Sequence, residues 1–255
     1  MAEEVKTTTI GIEKLDRLLL NGIPVGSTVL VMGPSGSGTE LFAKQFLSTN
    51  DSNMNAVYFA TDEREVDVRR TMGMYKWNSP IRIVDISTEY FEKVLTNEME
   101  ASKLRREGIK VDTIKKMMKE VRTEREVTNF LTELVYSITH LDTPYRVVVD
   151  SLDFYLEHYP PEQVISAFRT IKVHTQFTES VALFTMSTGV HEARVENSIE
   201  SIADIIIEME IQRVGSEFET RLVIKKFRNY PNKCAILTFS ISENGITPEM
   251  VARVA

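Results

Sequence analysis

The sequence predicts an α/β fold built on a mostly parallel sheet with helices on both faces. Short apolar runs rich in β-branched residues alternate with helical patterns along the chain, as expected when each buried strand is followed by a covering helix. Hydrophobic residues make up 42% of the 255 residues and charged residues 26%, which is typical of a globular protein with a substantial core. This length favours a single domain over residues 1–255.

Five short runs are predicted as central strands because each is apolar and bounded by polar or turn residues. They are Thr28–Met32, Ala56–Ala60, Ile81–Asp85, Arg146–Asp150 and Ala182–Met186. Three later runs alternate polar and apolar residues more regularly and are separated by Gly, Asn and Pro, which indicates an antiparallel C-terminal edge. They are Asp204–Ile211, Phe218–Lys226 and Ala235–Ser240.

Between residues 87 and 140 the strand pattern is interrupted by a predicted helical insertion. Apolar residues recur at three- and four-residue spacing from Val127 to Ile138, and a second stripe runs from Ile114 to Val121. One interpretation is that these stripes pack on the rest of the domain. The other is that the insertion binds a protein partner or forms an oligomer contact.

Charge and composition exclude several classes of protein. The net charge of −7 and the pI of about 5.3 argue against nucleic-acid binding. The single cysteine, Cys234, cannot form an internal disulfide and fits a reducing compartment. No apolar run approaches the roughly 20 residues that a membrane helix needs, and the first ten residues do not resemble a signal peptide. We therefore expect a cytoplasmic protein without a membrane segment.

A glycine-rich segment between a predicted strand and a predicted helix carries the clearest chemical signal. Such a turn directs successive backbone N–H groups toward an anion, and the dipole of the following helix assists. The residues predicted to bind phosphate here are Gly33, Ser35, Gly36, Ser37, Gly38, Thr39 and Glu40.

The segment departs from the standard phosphate-loop pattern G-x-x-x-x-G-K-[ST] at its last two positions. Thr39 stands where a lysine normally neutralises phosphate charge, and Glu40 stands where a hydroxyl normally ligates magnesium. Two interpretations stay open. Glu40 could ligate Mg²⁺ beside Asp150, or it could pair with Lys44 on the same helix face and leave the loop as a structural remnant.

Two segments before the loop carry a family resemblance. The run Thr9-Ile10-Gly11-Ile12-Glu13-Lys14-Leu15-Asp16, followed by Gly22-Ile23-Pro24 and Gly26, is similar to the S-T-G-I-x-x-L-D…G-G-I-P-x-G run of KaiC-like and archaeal RecA-superfamily ATPases. The resemblance continues in order through nearly the whole chain and is weaker across the insertion. It implies a RecA-like fold, ATP and Mg²⁺ as cofactors, and a homo-oligomer or a hetero-oligomer with related ATPases.

The resemblance also assigns roles to individual residues. The segment Tyr58–Glu65 looks like the family's Y-V-T-x-E-E segment, so Glu63 would be the general base and Asp62 its neighbour. The alternative is an acidic start to the following helix. Asp150 ends an apolar strand as in the Walker B motif, which implies a magnesium ligand at the strand's carboxyl end. Thr188 stands where the family often has a phosphate-sensing glutamine.

Near the C-terminus the segment Lys225–Arg228 resembles the family's K-M-R segment. The resemblance implies that Lys226 and Arg228 act on the nucleotide of a neighbouring subunit. The two residues share one face of a strand, although edge strands also carry such cations merely to prevent aggregation.

Together these features predict weak or regulatory ATP binding with at most slow hydrolysis. The alternative is a catalytically dead scaffold that binds protein partners. DNA-strand exchange is disfavoured, because the loop Gly189–Asn197 has only Arg194 as a basic residue.

Overall fold

The computed structural model describes residues 5–49, 54–77, 80–107, 109, 113, 129–215 and 217–249. Its strands are β1 (Thr7–Thr8), β2 (Ile23–Pro24), β3 (Ser27–Gly33), β4 (Asn55–Ala60), β5 (Arg82–Asp85), β6 (Tyr145–Asp150), β7 (Val181–Ser187), β8 (Ile205–Val214), β9 (Glu217–Phe227), β10 (Ala235–Ser242) and β11 (Gly245–Glu249).

The helices described are α1 (Glu13–Leu18), α2 (Thr39–Ser48), α3 (Glu65–Met74), α4 (Ile86–Tyr90), α5 (Thr96–Arg106), α6 (Phe130–Thr139), α7 (Leu152–His158), α8 (Pro161–Phe177) and α9 (Ala193–Ile202). A π-helical turn, Phe91–Leu95, joins α4 to α5. In the described part of the chain, no helix is both long and apolar enough to cross a bilayer.

Nine of the strands form one sheet in the order β11-β10-β9-β8-β3-β7-β6-β4-β5. The strands from β8 to β5 in this order pair in parallel, whereas β8, β9, β10 and β11 pair in antiparallel fashion. This arrangement confirms the predicted α/β class, with a mostly parallel sheet and an antiparallel C-terminal edge. The strands β1 and β2 form a separate small pair.

Successive residues of the central strands point to opposite faces of the sheet, and each face has its own core. Val29 and Val31 of β3 pack in the core beneath α1, α2 and α3. Leu30 and Met32 pack in the core beneath α6, α7, α8 and α9. The strands are therefore apolar on both faces, which explains why they form continuous apolar runs in the sequence.

All eight predicted strands are confirmed, with ends shifted by a few residues. The apolar stripe before His140 is confirmed as the buried face of α6, formed by Phe130, Leu131, Leu134 and Ile138. The second predicted stripe, from Ile114 to Val121, lies outside the described residues.

The segment before the glycine-rich loop is held by a hydrogen-bond network, called the clasp, that involves Thr9, Ile10, Asp16 and Arg146. The Asp16 carboxylate accepts hydrogen bonds from the Thr9 hydroxyl and from the Ile10 N–H, the latter at 2.7 Å. Arg146, at the start of β6 and almost fully buried, donates to the Thr9 carbonyl at 2.8 Å and to the Phe46 carbonyl of α2. The clasp thus joins the N-terminal segment to the elements that carry the loop and Asp150.

The turn between β10 and β11 is held against the same helix. The Ile246 N–H donates to Gln45 Oε1 of α2 at 2.7 Å. Gly245 has a φ of +91°, and a Cβ there would lie 2.5 Å from the Trp77 ring. Only glycine fits this position, since the conformation is left-handed and the space is filled by an aromatic ring.

Candidate phosphate-binding site

The glycine-rich loop and the predicted acidic residues meet in one cleft. Parallel strands end at the same edge of the sheet, and here the carboxyl ends of β3, β4, β6 and β7 surround a cleft of about 390 Å³. The lining residues are Gly33, Pro34, Ser35, Gly36, Thr39, Glu40, Tyr58, Ala60, Asp62, Glu63, Asp150, Ser151, Asp153, Thr185, Met186 and Ser187.

The loop backbone has the geometry of an anion cradle. Gly36 and Gly38 have φ values of +81° and +91°, a region that glycine occupies without steric cost. Helix α2 begins at Thr39 with no side chain capping it, so its first N–H groups have no partner within the helix. They lie at the positive end of the helix dipole, where anions are stabilised.

Two of the predicted loop residues, Ser37 and Gly38, do not line the cleft. The Ser37 side chain is 1% exposed, and its Oγ has no hydrogen-bond partner in the described part of the chain. A Cβ on Gly33 would lie 2.3 Å from that oxygen, so the tight turn requires glycine there. A Cβ on Gly38 would lie 3.6 Å from the side chain of Ile241 in β10. Ser37 and Gly38 therefore shape the cradle, while the other predicted loop residues face the cleft.

Lys44 does not pair with Glu40, and this part of the remnant interpretation is wrong. Glu40 is exposed at the start of α2, where its Oε2 lies 3.5 Å from the Thr39 hydroxyl. The Lys44 Nζ instead lies 3.0 Å from Oε1 of Glu63. A four-residue spacing brings Glu40 and Lys44 onto one helix face, but the buried lysine extends toward β4.

The Lys44–Glu63 pair is asymmetric. The Lys44 side chain is 1% exposed, whereas that of Glu63 is 35% exposed. The lysine nitrogen also lies 5.8 Å from the ring centroid of Tyr58. The second carboxylate oxygen, Glu63 Oε2, is buried and has no hydrogen-bond partner among the described residues.

Asp150 lies at the end of β6 and accepts two hydroxyl hydrogen bonds. Tyr58 donates to its Oδ2 and Thr185 donates to its Oδ1. Burial and the nearby Asp150 charge hold the pKa of the Tyr58 hydroxyl well above its usual value, so Tyr58 stays a donor at neutral pH. These bonds fix the orientation of the Asp150 carboxylate.

Asp62 lies beside Asp150 at the mouth of the cleft. It accepts hydrogen bonds from the Thr61 hydroxyl at 3.0 Å and from the Ser151 hydroxyl at 3.2 Å. Desolvation by the surrounding protein raises the pKa of Asp62, and the charges of Asp150 and Asp153 add to this effect, which the two hydrogen bonds only partly offset. The local field in the cleft is therefore negative.

A further acidic residue in the cleft was missed by the sequence reasoning. Asp153, in the first turn of α7, accepts from the Ser187 N–H at 2.9 Å and from the Ser187 hydroxyl at 2.8 Å. Its Oδ1 also lies 2.7 Å from His191 Nε2. No motif marks these residues. Their signal is positional, because Asp153 follows β6 and Ser187 ends β7.

The cleft thus has five carboxylates among its lining residues, with no lysine or arginine from the described part of the chain. Within the same described ranges, no group of three His, Cys, Asp or Glu side chains is arranged to hold a metal ion. A phosphate group here would meet backbone N–H groups and acidic side chains together. A divalent cation would relieve the resulting repulsion.

Lys226 and Arg228 lie outside the cleft lining. The Lys226 Nζ donates to the carbonyls of Glu200 and Ser201 at 2.9 Å each, where the negative end of the α9 dipole favours a cation. The Arg228 Nη1 donates to Asp204 Oδ1 at 2.9 Å. Both cations have partners within the chain, and their predicted action on a neighbouring subunit stays a prediction.

The strand order and the glycine-rich cradle at the carboxyl end of β3 define a RecA-like nucleotide-binding fold of the P-loop class. The sequence over residues 8–249 matches the family model described as "ATPase: KaiC". The chain therefore belongs to the KaiC-like ATPase family.

Individual relatives agree with this assignment. The chain is 28% identical to a UPF0273 protein of Pyrococcus horikoshii over 96% of this chain and 94% of that protein. It is 26% identical to a UPF0273 protein of Thermotoga maritima over 96% of each chain. Among solved structures, a KaiC-like protein of Pyrococcus horikoshii superposes with a TM-score of 0.65 at 21% identity, over 96% of this chain and all of that one. At this identity the superposition shows the shared fold alone.

Proposed function

We propose that the chain binds ATP weakly, as a regulatory ligand that requires Mg²⁺, and hydrolyses it slowly at most. The observation that carries this proposal is the combination of an intact backbone cradle with an acidic cleft lining. The uncapped start of α2 and its glycine turn can still receive a phosphate group. The lysine that normally neutralises that phosphate is replaced by Thr39.

The residues of the cleft suit ATP and Mg²⁺ only in part. The loop N–H groups would hold phosphate oxygens, and Asp150 with Glu40 would ligate the metal ion. Mg²⁺, when bound, would neutralise phosphate charge that the loop itself cannot neutralise. Glu63 would act as the base, with Asp62 beside it. Oxygen ligands of this kind are those that magnesium prefers.

A second candidate function is a catalytically dead scaffold for protein partners. It is favoured by the bonds already made inside the cleft, because Asp150 is occupied through both oxygens and Glu63 through one. Under this alternative the helical insertion at about residues 87–140 would be the partner surface. Its described part carries exposed apolar side chains at Phe91 and Met99.

Calorimetric titration with ATP, with and without Mg²⁺, tests the proposal. We expect weak binding that requires the metal ion. The double substitution Thr39→Lys with Glu40→Thr should tighten binding at least about tenfold, since it restores a cation and a hydroxyl ligand. The matched control is Glu162→Thr, which removes an exposed carboxylate from the first turn of α8 and should leave affinity unchanged. Absence of binding in the parent and in the folded double variant would support the scaffold instead.

A further inference from the structure

The buried ammonium group of Lys44 has no part in the proposed binding of phosphate or magnesium. Lys44 lies in the second turn of α2, directly after the phosphate loop, and its side chain is 1% exposed. A lysine is rarely buried without a strong partner, and here the partner is Glu63 at 3.0 Å. The charge lies beneath the cleft, in contact with one of its lining residues.

We propose that Lys44 is the positioning residue of the phosphate site, a cation that holds Glu63 and offsets its charge in place of the missing loop lysine. Burial of an ammonium group is costly. In this structure the ion pair with Glu63, which lines the cleft, offsets that cost. The hydrogen bond engages Oε1 of Glu63 and leaves Oε2 as the oxygen without a partner among the described residues. Glu63 is thereby fixed in one orientation.

The charge balance of the cleft makes this pairing consequential. With Lys44 in place, Glu63 contributes almost no net charge toward a bound phosphate. In the described part of the chain, four lining carboxylates then have no lysine or arginine in contact: Glu40, Asp62, Asp150 and Asp153. Without Lys44 a fifth negative charge would act on the same phosphate. This inference rests on the proposed function, because it assigns Lys44 a role in how the cleft accepts ATP.

Binding of a fluorescent ATP analogue with Mg²⁺ tests the proposal in a double-substitution cycle. Lys44→Met should weaken affinity about fivefold, because it leaves the Glu63 charge unbalanced in the cleft that would receive the phosphate. Glu63→Gln should strengthen affinity by a similar factor, and the combined variant should return to the parent value. Lys44→Arg keeps the charge and should retain parent affinity. The matched control, Lys103→Met, removes an exposed lysine from α5 and should have no effect.

The outcomes separate this inference from the proposed function. If the parent binds ATP but Lys44→Met and Glu63→Gln change affinity in the same direction, or Lys44→Met changes nothing, Lys44 has a structural role only. Failure of Lys44→Arg to restore affinity would overturn the proposal equally. If Lys44→Met does not fold, the affinity of the combined Lys44→Met, Glu63→Gln variant is compared with that of Glu63→Gln alone. These two variants differ only at Lys44, and neither has an unpaired Glu63 carboxylate, so the combined variant should bind more weakly. A parent that binds no ATP refutes the proposed function, and the inference with it.

Discussion

Two clusters of charged side chains lie at opposite ends of β3, one around Asp204 near Thr28 and one in the cleft beside Gly33, and they differ in how their carboxylates are balanced. Between β3, α8 and β9, Asp204 accepts hydrogen bonds from Lys172 Nζ at 2.7 Å, from Arg228 at 2.9 Å, and from the Thr28 N–H and hydroxyl at 3.1 and 2.8 Å. Burial acts against its charge, yet these bonds outweigh burial and hold the pKa of Asp204 below its usual value. In the cleft, by contrast, desolvation and neighbouring carboxylates raise the pKa of Asp62.

The contrast separates a carboxylate that is neutralised within the chain from carboxylates whose charge the chain leaves unbalanced. Asp204 is neutralised by its own chain, so it joins β3, β9 and α8 and needs no partner from outside. Among the described residues, the carboxylates of the cleft contact one lysine, Lys44, and it approaches from beneath. Unbalanced charge at a sheet edge that carries an anion cradle is the arrangement that a metal–nucleotide complex would complete.

The largest effect on stability is expected at the balanced cluster. Asp204→Asn leaves the mostly buried Lys172 without its carboxylate and removes a partner of the half-exposed Arg228, and should lower the free energy of unfolding by about 3–5 kcal/mol. Chemical denaturation monitored by circular dichroism measures this. The control is Glu179→Gln, which breaks the exposed pair with Lys6 at 3.2 Å and should cost less than about 1 kcal/mol. Equal losses in the two variants would show that the Asp204 cluster stabilises the fold no more than an exposed ion pair does.

Removing Glu63 should lower the free energy of unfolding more than removing Lys44, its partner in the ion pair. Glu63→Ala leaves Lys44 buried without a partner and should cost about 3 kcal/mol, at the low end for a broken buried pair because the Glu63 side of the pair is partly exposed. Lys44→Met removes the buried ammonium group and leaves as the unpaired charge Glu63, whose side chain is 35% exposed, and should change stability by less than about 1 kcal/mol. Thermal and chemical unfolding of the two variants give the comparison. A costly Lys44→Met would show that the ion pair itself stabilises the fold.

The two clusters should also differ in how they affect the pH dependence of stability, and Asp204 gives the clearer test. Because the pKa of Asp204 lies below its ordinary value of 3.8 in the folded chain, the unfolded chain binds more protons there. Its contribution to stability is therefore present above about pH 4 and is lost as the pH falls through the folded pKa. Asp204→Asn should remove this part of the acid limb, so parent and variant should converge at low pH. Parallel curves down to about pH 2, below the usual range of a carboxyl pKa, would contradict the assignment.

Much of the fold could be predicted because its determinants are local. Apolar runs such as Val29–Met32 stand out when both faces are buried, and the order of strands and loop defines the class. The β1–β2 pair was missed because two-residue strands carry no readable periodicity, and β11 was missed because its short run contains both Gly245 and Pro248. The clasp around Asp16 was visible as a motif, but its bond network involves Arg146, which is distant in sequence.

The site was predicted where a motif marked it and missed where only topology did. Glu63, Asp150 and the loop were expected at one edge, and the structure brings them into one cleft. The predicted partner of Lys44 was wrong because helical spacing suggested Glu40, whereas the buried side chain reaches across to the end of β4. Asp153 and Ser187 meet only because β6 and β7 are adjacent in the sheet.

The smallest effect on stability, with the largest functional consequence, is expected at Arg228. Its side chain is half exposed, and Asp204 keeps Lys172 and Thr28 as partners when Arg228 is removed, so Arg228→Ala should cost about 1 kcal/mol or less.

If Arg228 acts on a neighbouring subunit's phosphate, the same variant should abolish any hydrolysis, and mixing it with Glu63→Gln should restore part of the activity at mixed interfaces. The control Lys225→Ala removes a cation paired with Glu200 and Glu208 and should keep activity. Hydrolysis should also rise more steeply than linearly with protein concentration. Strict proportionality in a proven monomer would exclude action between subunits, leaving Arg228 a partner of Asp204 alone.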